Sequence, residues 1–372
     1  MTNQGKQSHK HAGDHVLLMA IAGLTLFGWL MLASASSVVA QKYHADAFYF
    51  VKHQMIYGGS FGLGLFLIGY FVPYRWWRKL AFPAIVLALV LLILVFIPGL
   101  QVSAGGAARW IGVGPFTVQP SEVTKLAFIL YLAALMEKKG EDVKDFNKSV
   151  IPFIVMLLII SGLIMMQPDM GTLLLITLVA ASMIFVAGIR IRHLAMIGLG
   201  GLAMFAFFLN TTRYRLERIM VYLHPELDPQ GIGYQINQAL LAVGTGGLWG
   251  LGFGRSRQKY YYLPEPAGDA IFAVLAEEFG LIRSIFVIMI FGLIGWRGWL
   301  IARQAPDTFG RLLATGITAW ILLQAFINIG SILAITPLTG IPLPFISYGG
   351  SALATLLFAS GVLLNVSQYT RD

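Results

Sequence analysis

Apolar runs of about 20 residues recur along this chain, and shorter polar segments separate most of them. A run of that length crosses a hydrocarbon core of about 30 Å as an α-helix. Because lipid offers the backbone no hydrogen-bond partner, helices are the structures expected of such runs. We therefore predict an all-α polytopic membrane protein with about ten transmembrane helices. The predicted spans are 16–36, 51–71, 78–97, 121–136, 150–166, 171–188, 193–209, 270–296, 310–334 and 346–367.

The polar segments differ in length, and one of them is much longer than the rest. Residues 210–268 form that segment, which we predict to be a loop between the seventh and eighth helices. Residues 1–15 form a polar, His-rich tail before the first span. No second soluble domain is visible, so the pattern indicates a single membrane domain over residues 1–372.

Lysine and arginine residues indicate how the chain is oriented, because cytoplasmic loops carry an excess of them. When the N-terminus is placed inside, most of these residues in short loops fall on the inner side, as at Arg75 and Lys138. We therefore predict that both termini are cytoplasmic. The same assignment puts the long loop, residues 210–268, outside the cytoplasmic membrane.

Composition supports the membrane class and narrows the range of partners. Hydrophobic residues make up 57% of the 372 residues and charged residues only 12%, about half the charged fraction of a soluble domain. The absence of cysteine excludes disulfides and thiol chemistry. The net charge of +9 suits anionic membrane lipid, whereas nucleic acid is a poor partner because the basic residues are dispersed among the spans.

The segment 231–280 holds the densest set of candidate functional residues. It combines glycines, a basic cluster that includes Lys259, a run of three tyrosines, and the acids Glu265 and Asp269 before the eighth span. Charged residues at the mouth of apolar helices are suited to chemistry on an anionic lipid. From residue type alone, an N-cap of the eighth helix is a slightly better role for Asp269 than catalysis.

A second group of candidates surrounds the start of the fourth span. Arg109 lies in the preceding loop, and Glu122 and Lys125 share a helix face because they are three residues apart. An ionisable pair at the edge of a span is a functional candidate. The alternative is that Ser121 and Glu122 cap the helix while Lys125 extends toward the outer interface. Both interpretations remain open from sequence.

Other polar residues favour structural roles. We predict Asp169 to be the N-cap of the sixth helix, and Glu277 and Glu278 to make structural hydrogen bonds inside the eighth. The segment 336–351, rich in proline and glycine, is predicted to pack under the long loop and to help wall a groove. No histidine spacing indicates a metal site, and no P-loop is present.

Four segments carry a resemblance to a known family. They read ARWIGVGPFTVQPSEVTKLAFILYLA, LIMMQPDMGTLLLI, GYQINQALLAVGTGGLWGLGFGRSRQKYYYLPEPAGDAIFAVLAEEFG and ITPLTGIPLPFISYGGSAL. In this order they resemble the SEDS family of shape, elongation, division and sporulation proteins (FtsW, RodA and SpoVE). The early SASSVV and the later ISYGGS are most similar to the FtsW division branch.

The resemblance implies a function and partners. Members of this family are peptidoglycan glycosyltransferases that polymerise lipid II, the undecaprenyl-diphosphate disaccharide-pentapeptide, at the outer face of the bacterial cytoplasmic membrane. The division branch implies septal wall synthesis with a class B penicillin-binding transpeptidase and other division proteins. The alternatives are a lipid II flippase or transporter, a RodA-type elongation polymerase, and a non-enzymatic division scaffold.

The resemblance also places the family's essential acid on Asp269. The family usually reads T-D-F there, whereas this chain has Gly268 and Ala270 as neighbours, and Arg283 replaces a small residue. We expect Asp269 to be the general base that takes a proton from the acceptor sugar in an inverting transfer. Candidates for binding the diphosphate are Arg109, Lys125 and Lys259. Glu122 would orient Lys125 or the acceptor; no cofactor is required, although a divalent cation is possible.

Overall fold

The computed structural model describes residues 11–104, 107–113, 116–209, 220–222 and 231–370, and most of these residues are helical. Thirteen α-helices are described in chain order: α1 (His15–Ala35), α2 (Ser37–His44), α3 (Tyr49–His53), α4 (Phe61–Phe71), α5 (Tyr74–Leu94), α6 (Pro120–Lys139), α7 (Ile151–Met166), α8 (Met170–Val186), α9 (Ile191–Leu209), α10 (Ile232–Gly246), α11 (Ile271–Gln304), α12 (Thr308–Ile332) and α13 (Gly350–Ser367). A π-helical segment, Gln54–Ser60, joins α3 to α4. Gly140–Lys144 (3₁₀) and Phe146–Val150 (π) lie between α6 and α7.

Within these described ranges, seven helical segments are long and apolar enough to cross a membrane, which confirms the multi-span prediction. They are His15–Ala35, Tyr49–Phe71, Tyr74–Leu94, Phe146–Met166, Ile271–Gln304, Thr308–Ile332 and Gly350–Ser367. Among the other predicted spans, α8 is a shorter apolar helix, and α6 carries an ion pair near its start and two lysines at its end. The count of ten spans stays a prediction.

Two features correct the predicted arrangement of loops. The predicted loop 210–268 contains the 15-residue helix α10. Its residues 210–219 and 223–230, like residues 1–10 of the predicted tail, lie outside the described residues. The connection between α5 and α6 is a three-stranded antiparallel sheet rather than an irregular loop. Its strands are β1 (Gln101–Ala104), β2 (Ala107–Val113) and β3 (Phe116–Val118), in the order β1–β2–β3.

The centre of the bundle is formed by α12 and α13. In their most apolar windows 67% and 78% of residues are buried, compared with 22% for α5 at the periphery. Helix α4 packs closely on α13 through small residues, since a Cβ at Gly69 would lie 2.7 Å from the Phe358 carbonyl oxygen. Gly58 and Gly62 likewise face the Gly350 and Ala354 backbone, so small residues allow these helical segments to approach closely.

Helix α11 is broken at Gly280, where φ is +76°. The chain after α10 enters this break: the Leu251 amide donates to the Glu277 carbonyl at 3.0 Å, and the Leu281 amide donates to the Gly247 carbonyl at 2.9 Å. A Cβ at Gly250 would lie only 2.2 Å from the Glu278 carbonyl oxygen, so this crossing requires glycine. The break fixes the loop that leads to Asp269 against α11.

Candidate active site around Asp269

Asp269 lies immediately before α11, but it does not cap that helix. The cap residue is Ala270, and no side chain accepts a capping hydrogen bond there. The capping alternative for Asp269 is therefore wrong. The side chain is half-buried, and the Asp269 backbone carbonyl accepts a 2.7 Å hydrogen bond from Asn328 Nδ2. The Asp269 carboxylate therefore lies at the N-terminal end of α11, and a hydrogen bond from α12 holds the Asp269 backbone in place.

The segment between α12 and α13 forms a wall beside Asp269. A Cβ on Gly340 would lie 3.8 Å from Asp269 Oδ2. Ser347 Oγ donates to the Gly268 carbonyl at 2.8 Å, and the Tyr348 amide donates to the Ala267 carbonyl at 2.9 Å. These contacts agree with the predicted packing of this segment under the loop.

Glu122 and Lys125 form a buried ion pair at the start of α6. The distance from Lys125 Nζ to Glu122 Oε1 is 2.8 Å, and each side chain is only 2% exposed. The cap of α6 is Gln119, so Ser121 and Glu122 do not cap the helix, and Lys125 does not extend to the interface. Two charges this deeply buried need further partners, because desolvation opposes the ion pair.

Helix α12 supplies those partners and connects the ion pair to Asp269. Lys125 Nζ also donates to Gln324 Oε1 at 3.0 Å and lies 5.0 Å from the centre of the Trp320 ring. Gln324 Nε2 donates in turn to the Pro342 carbonyl at 2.9 Å.

One turn further along α12, Asn328 Nδ2 donates to the Ile341 carbonyl at 2.8 Å as well as to Asp269. The Gln324 and Asn328 amides therefore hold one wall segment between the ion pair and the candidate base. The sequence analysis did not identify either residue. Two amide side chains four positions apart in an apolar run could have indicated them, and the structure shows that both are fully buried.

Arg109 is placed on β2 and binds a different turn. Its Nε donates to the Gln167 carbonyl at 3.1 Å, and its Nη2 donates to the Pro168 carbonyl. This turn precedes α8, where Asp169 Oδ1 accepts from the Thr172 amide at 3.1 Å, so the predicted N-cap is confirmed. No described contact joins Arg109 to Asp269.

Lys259 is buried in a second ion pair, and its contacts are structural. Its Nζ donates to Ser34 Oγ at 2.9 Å, to the Gly254 carbonyl at 2.8 Å and to Glu278 Oε1 at 3.0 Å. An ammonium group has three N–H donors, so these acceptors use all of them. The Lys259 ammonium group therefore has no N–H left for a diphosphate in this arrangement.

Glu277 and Glu278 hold the same loop, as the prediction of structural hydrogen bonds requires. Glu277 accepts from Ser256 Oγ and from the Arg257 amide at 3.0 Å. Glu278 Oε1 accepts from Ser34 Oγ at 2.6 Å and from the Ser256 amide at 3.2 Å. The two successive carboxylates thus fix the turn that contains the basic cluster.

Arg283 is exposed, and its Nη1 donates to the Trp249 carbonyl at 3.2 Å. The part of the chain described here contains no ion pair of Arg283 and no group of three or more His, Asp or Glu side chains that could hold a metal ion. The departure from the family pattern at this position therefore introduces a surface cation.

Comparison with known proteins agrees with this architecture. The profile of the FtsW/RodA/SpoVE family, described as "Cell cycle protein", matches residues 14–372. Stage V sporulation protein E of Bacillus subtilis is 43% identical over 362 residues, which cover 97% of this chain and 99% of that protein. A probable peptidoglycan glycosyltransferase FtsW of Geobacter sulfurreducens is 43% identical over 352 residues, covering 95% of this chain and 94% of its own.

Solved structures are similar over nearly the whole chain. A chain from a peptidoglycan synthase complex, described as coordinating polymerization and crosslinking, has a TM-score of 0.79 and 28% identity, covering 96% of this chain and 98% of its own. The rod shape determining protein RodA of Thermus thermophilus has a TM-score of 0.71 and 28% identity, with coverages of 97% and 98%. The chain belongs to the FtsW/RodA/SpoVE family of cell cycle proteins.

Proposed function

We propose that this protein is a peptidoglycan glycosyltransferase that polymerises lipid II into glycan strands at the outer face of the bacterial cytoplasmic membrane. The relatives named as glycosyltransferases support the reaction class. The main structural support for the site is the position of Asp269. This half-buried residue lies at the N-terminal end of α11, beside the wall segment that Asn328 of α12 holds in place.

Asp269 is the general base of an inverting transfer. The hydroxyl oxygen of the acceptor sugar attacks the anomeric carbon of the donor, and the hydroxyl proton passes to the Asp269 carboxylate. The bond between that carbon and the diphosphate oxygen breaks, and the lipid diphosphate leaves. Because diphosphate is already a good leaving group, one base suffices for a single displacement, which inverts the anomeric configuration.

The Glu122–Lys125 ion pair positions the base. It is fully buried, and its described route to Asp269 runs through Gln324 and the wall segment. We therefore propose that this ion pair keeps the wall segment in position beside Asp269. Arg109 stays the candidate that binds the departing diphosphate, because it is only half-buried and a guanidinium binds phosphate oxygens well.

The division branch gives the proposal its setting. The similar chain in a peptidoglycan synthase complex, described as coordinating polymerization and crosslinking, supports a crosslinking enzyme as partner. We propose that this partner is a class B penicillin-binding transpeptidase, alongside other division proteins at the septum. The His11 amide donates to the Gln368 carbonyl at 2.9 Å, so the two ends of the described chain lie side by side. This contact supports placing both termini on the same, cytoplasmic, side.

The test is polymerisation of labelled lipid II by purified protein, with and without the candidate transpeptidase, read as glycan chains on a gel. Asp269→Asn removes the basic carboxylate with almost no change in shape, so we expect a rate about 10²- to 10⁴-fold lower. Glu265→Gln is the matched control in the same loop and should polymerise normally.

Wild-type rates for Asp269→Asn, together with loss of activity in Glu265→Gln, would move the base to Glu265. A flippase gives a different result, since wild-type protein would then form no glycan and would move lipid II across vesicle membranes instead.

A further inference from the structure

A groove of about 420 Å³ lies between α2 and the tyrosine run that precedes Asp269, and the proposed mechanism does not use it. Its lining combines an ammonium, an amide, a hydroxyl and two aromatic rings. The lining residues are Ser37, Val38, Gln41, Lys42, Tyr260 and Tyr261. This combination joins stacking surfaces to a few hydrogen-bonding groups, as small-molecule sites commonly do.

Both tyrosine rings in the groove are open to solvent, and contacts with α2 hold the Tyr261 ring in place. Tyr260 and Tyr261 are 55% and 53% exposed. Tyr261 Oη donates to the Val38 carbonyl at 3.3 Å, and Lys42 Nζ lies 4.5 Å from the Tyr261 ring centre. The Tyr261 backbone has a φ of +69°, an unusual conformation for an aromatic residue, and such positions concentrate at ligand-binding sites.

Tyrosines are also common at the membrane–water interface, so exposed tyrosine rings alone do not show that the groove faces water. Helix α2 supplies the further evidence, because it follows the apolar helix α1 and exposes Gln41, Lys42 and His44 on its surface. A lipid-facing wall would not present an amide, an ammonium and an imidazole together. The groove therefore opens to the aqueous side beyond the end of α1.

We propose that this groove is a subsite for the growing glycan strand, at sugars beyond the one that reacts. The proposal rests on the proposed function. Sugar rings stack their C–H faces on aromatic rings, while Gln41 and Ser37 suit their hydroxyl groups. Lys42 suits the carboxylates that peptidoglycan bears on its peptide side chains. Tyr261 precedes Asp269 by eight positions, so the two residues are at most about 29 Å apart.

Two measurements test the subsite. The first is the glycan length distribution together with the initial rate of lipid II consumption. The second is direct binding of a soluble, lipid-free peptidoglycan tetrasaccharide that carries its peptides. For Tyr261→Ala we expect about tenfold weaker tetrasaccharide binding, a loss similar to that of removing one aromatic ring stacked on a base in proteins that bind single-stranded nucleic acid. Glycan chains should become shorter, while the initial rate stays within about twofold.

Tyr262→Ala is the matched control, because Tyr262 is 57% exposed in the same run and does not line the groove. It should bind and polymerise as wild type does. Tyr261→Phe keeps the ring and removes the bond to Val38, so it should retain binding. Lys42→Gln should weaken binding of the tetrasaccharide with peptides, but not of the same sugar without them.

Equal chain shortening by Tyr261→Ala and Tyr262→Ala would overturn the subsite, as would unchanged tetrasaccharide binding in Tyr261→Ala. Loss of transpeptidase binding with normal tetrasaccharide binding would mean that the groove docks a protein, which also overturns it. If wild-type protein makes no glycan, the proposed function fails, and the binding measurement still decides the groove.

Discussion

Two buried lysine–glutamate pairs of similar geometry serve different parts of this molecule. Lys125 lies 2.8 Å from Glu122, Lys259 lies 3.0 Å from Glu278, and all four side chains are almost fully buried. The Lys259 pair joins α1, the loop and α11, and its ammonium group has three protein acceptors. The Lys125 pair leads through Gln324 to the wall beside Asp269. The distance and burial of an ion pair therefore do not reveal its role, whereas its next partners do.

The largest effect should come from breaking the structural pair. Glu278→Leu leaves the Lys259 ammonium buried without its counter-charge, which should destabilise the protein by about 3–5 kcal/mol. The measurement is thermal unfolding in detergent. The double variant Glu278→Leu/Lys259→Met removes both buried charges, so it should recover much of that loss of stability. Its polymerisation per folded molecule should be near normal. A double variant that folds but is inactive would show that this pair also serves the reaction.

A smaller and different effect is expected at the pair near Asp269. Glu122→Gln and Lys125→Met should each lower polymerisation, and the double variant should lose less than the sum. A coupling energy of about 0.5–3 kcal/mol is typical of residues in one network. The matched comparison is Gln324→Leu, which cuts the described route to the wall and should also lower activity. Additive losses in the double-mutant cycle would mean that Glu122 and Lys125 act separately.

The smallest effect on stability should come from replacing Arg283, which has no buried partner among its described contacts. Arg283 is exposed and binds only a backbone carbonyl among its described contacts, so Arg283→Met should change the free energy of unfolding by less than about 0.5 kcal/mol. Thermal unfolding in detergent is the measurement, with Arg303→Met in the last turn of the same helix as a control. A loss comparable to that of Glu278→Leu would place Arg283 among the buried ion pairs.

Sequence patterns predicted those parts of the fold that depend on local physics. A span is set by the length of an apolar run, and seven such helical segments are present in the described ranges. The cap at Asp169 could be predicted because a short acid after a proline turn satisfies the first amides of the helix. Glu277 and Glu278 could be assigned because carboxylates buried in an apolar helix must find donors.

The parts that depend on distant contacts could not be predicted in this way. Residue type favours Asp269 as a cap, yet the turn places Ala270 at the helix start and leaves the Asp269 side chain beside Gly340. Lys125 could have extended to the interface, and only the approach of Gln324 from α12 makes its burial tolerable. The sheet between α5 and α6 pairs strands within a segment that lacks a clear alternation of polar and apolar residues.

The break at Gly280 couples the stability of α11 to that of the segment 247–252. The amides of Leu251 and Gly252 bond to carbonyls of the first part of α11, and the amides of Leu281 and Ile282 bond back to the segment 247–248. Each side of the crossing therefore completes the backbone hydrogen bonds of the other. The segment 247–252 cannot separate from α11 while these hydrogen bonds are intact, so local unfolding of the two is a single cooperative event. A force applied to this segment by another protein would therefore be transmitted directly to α11.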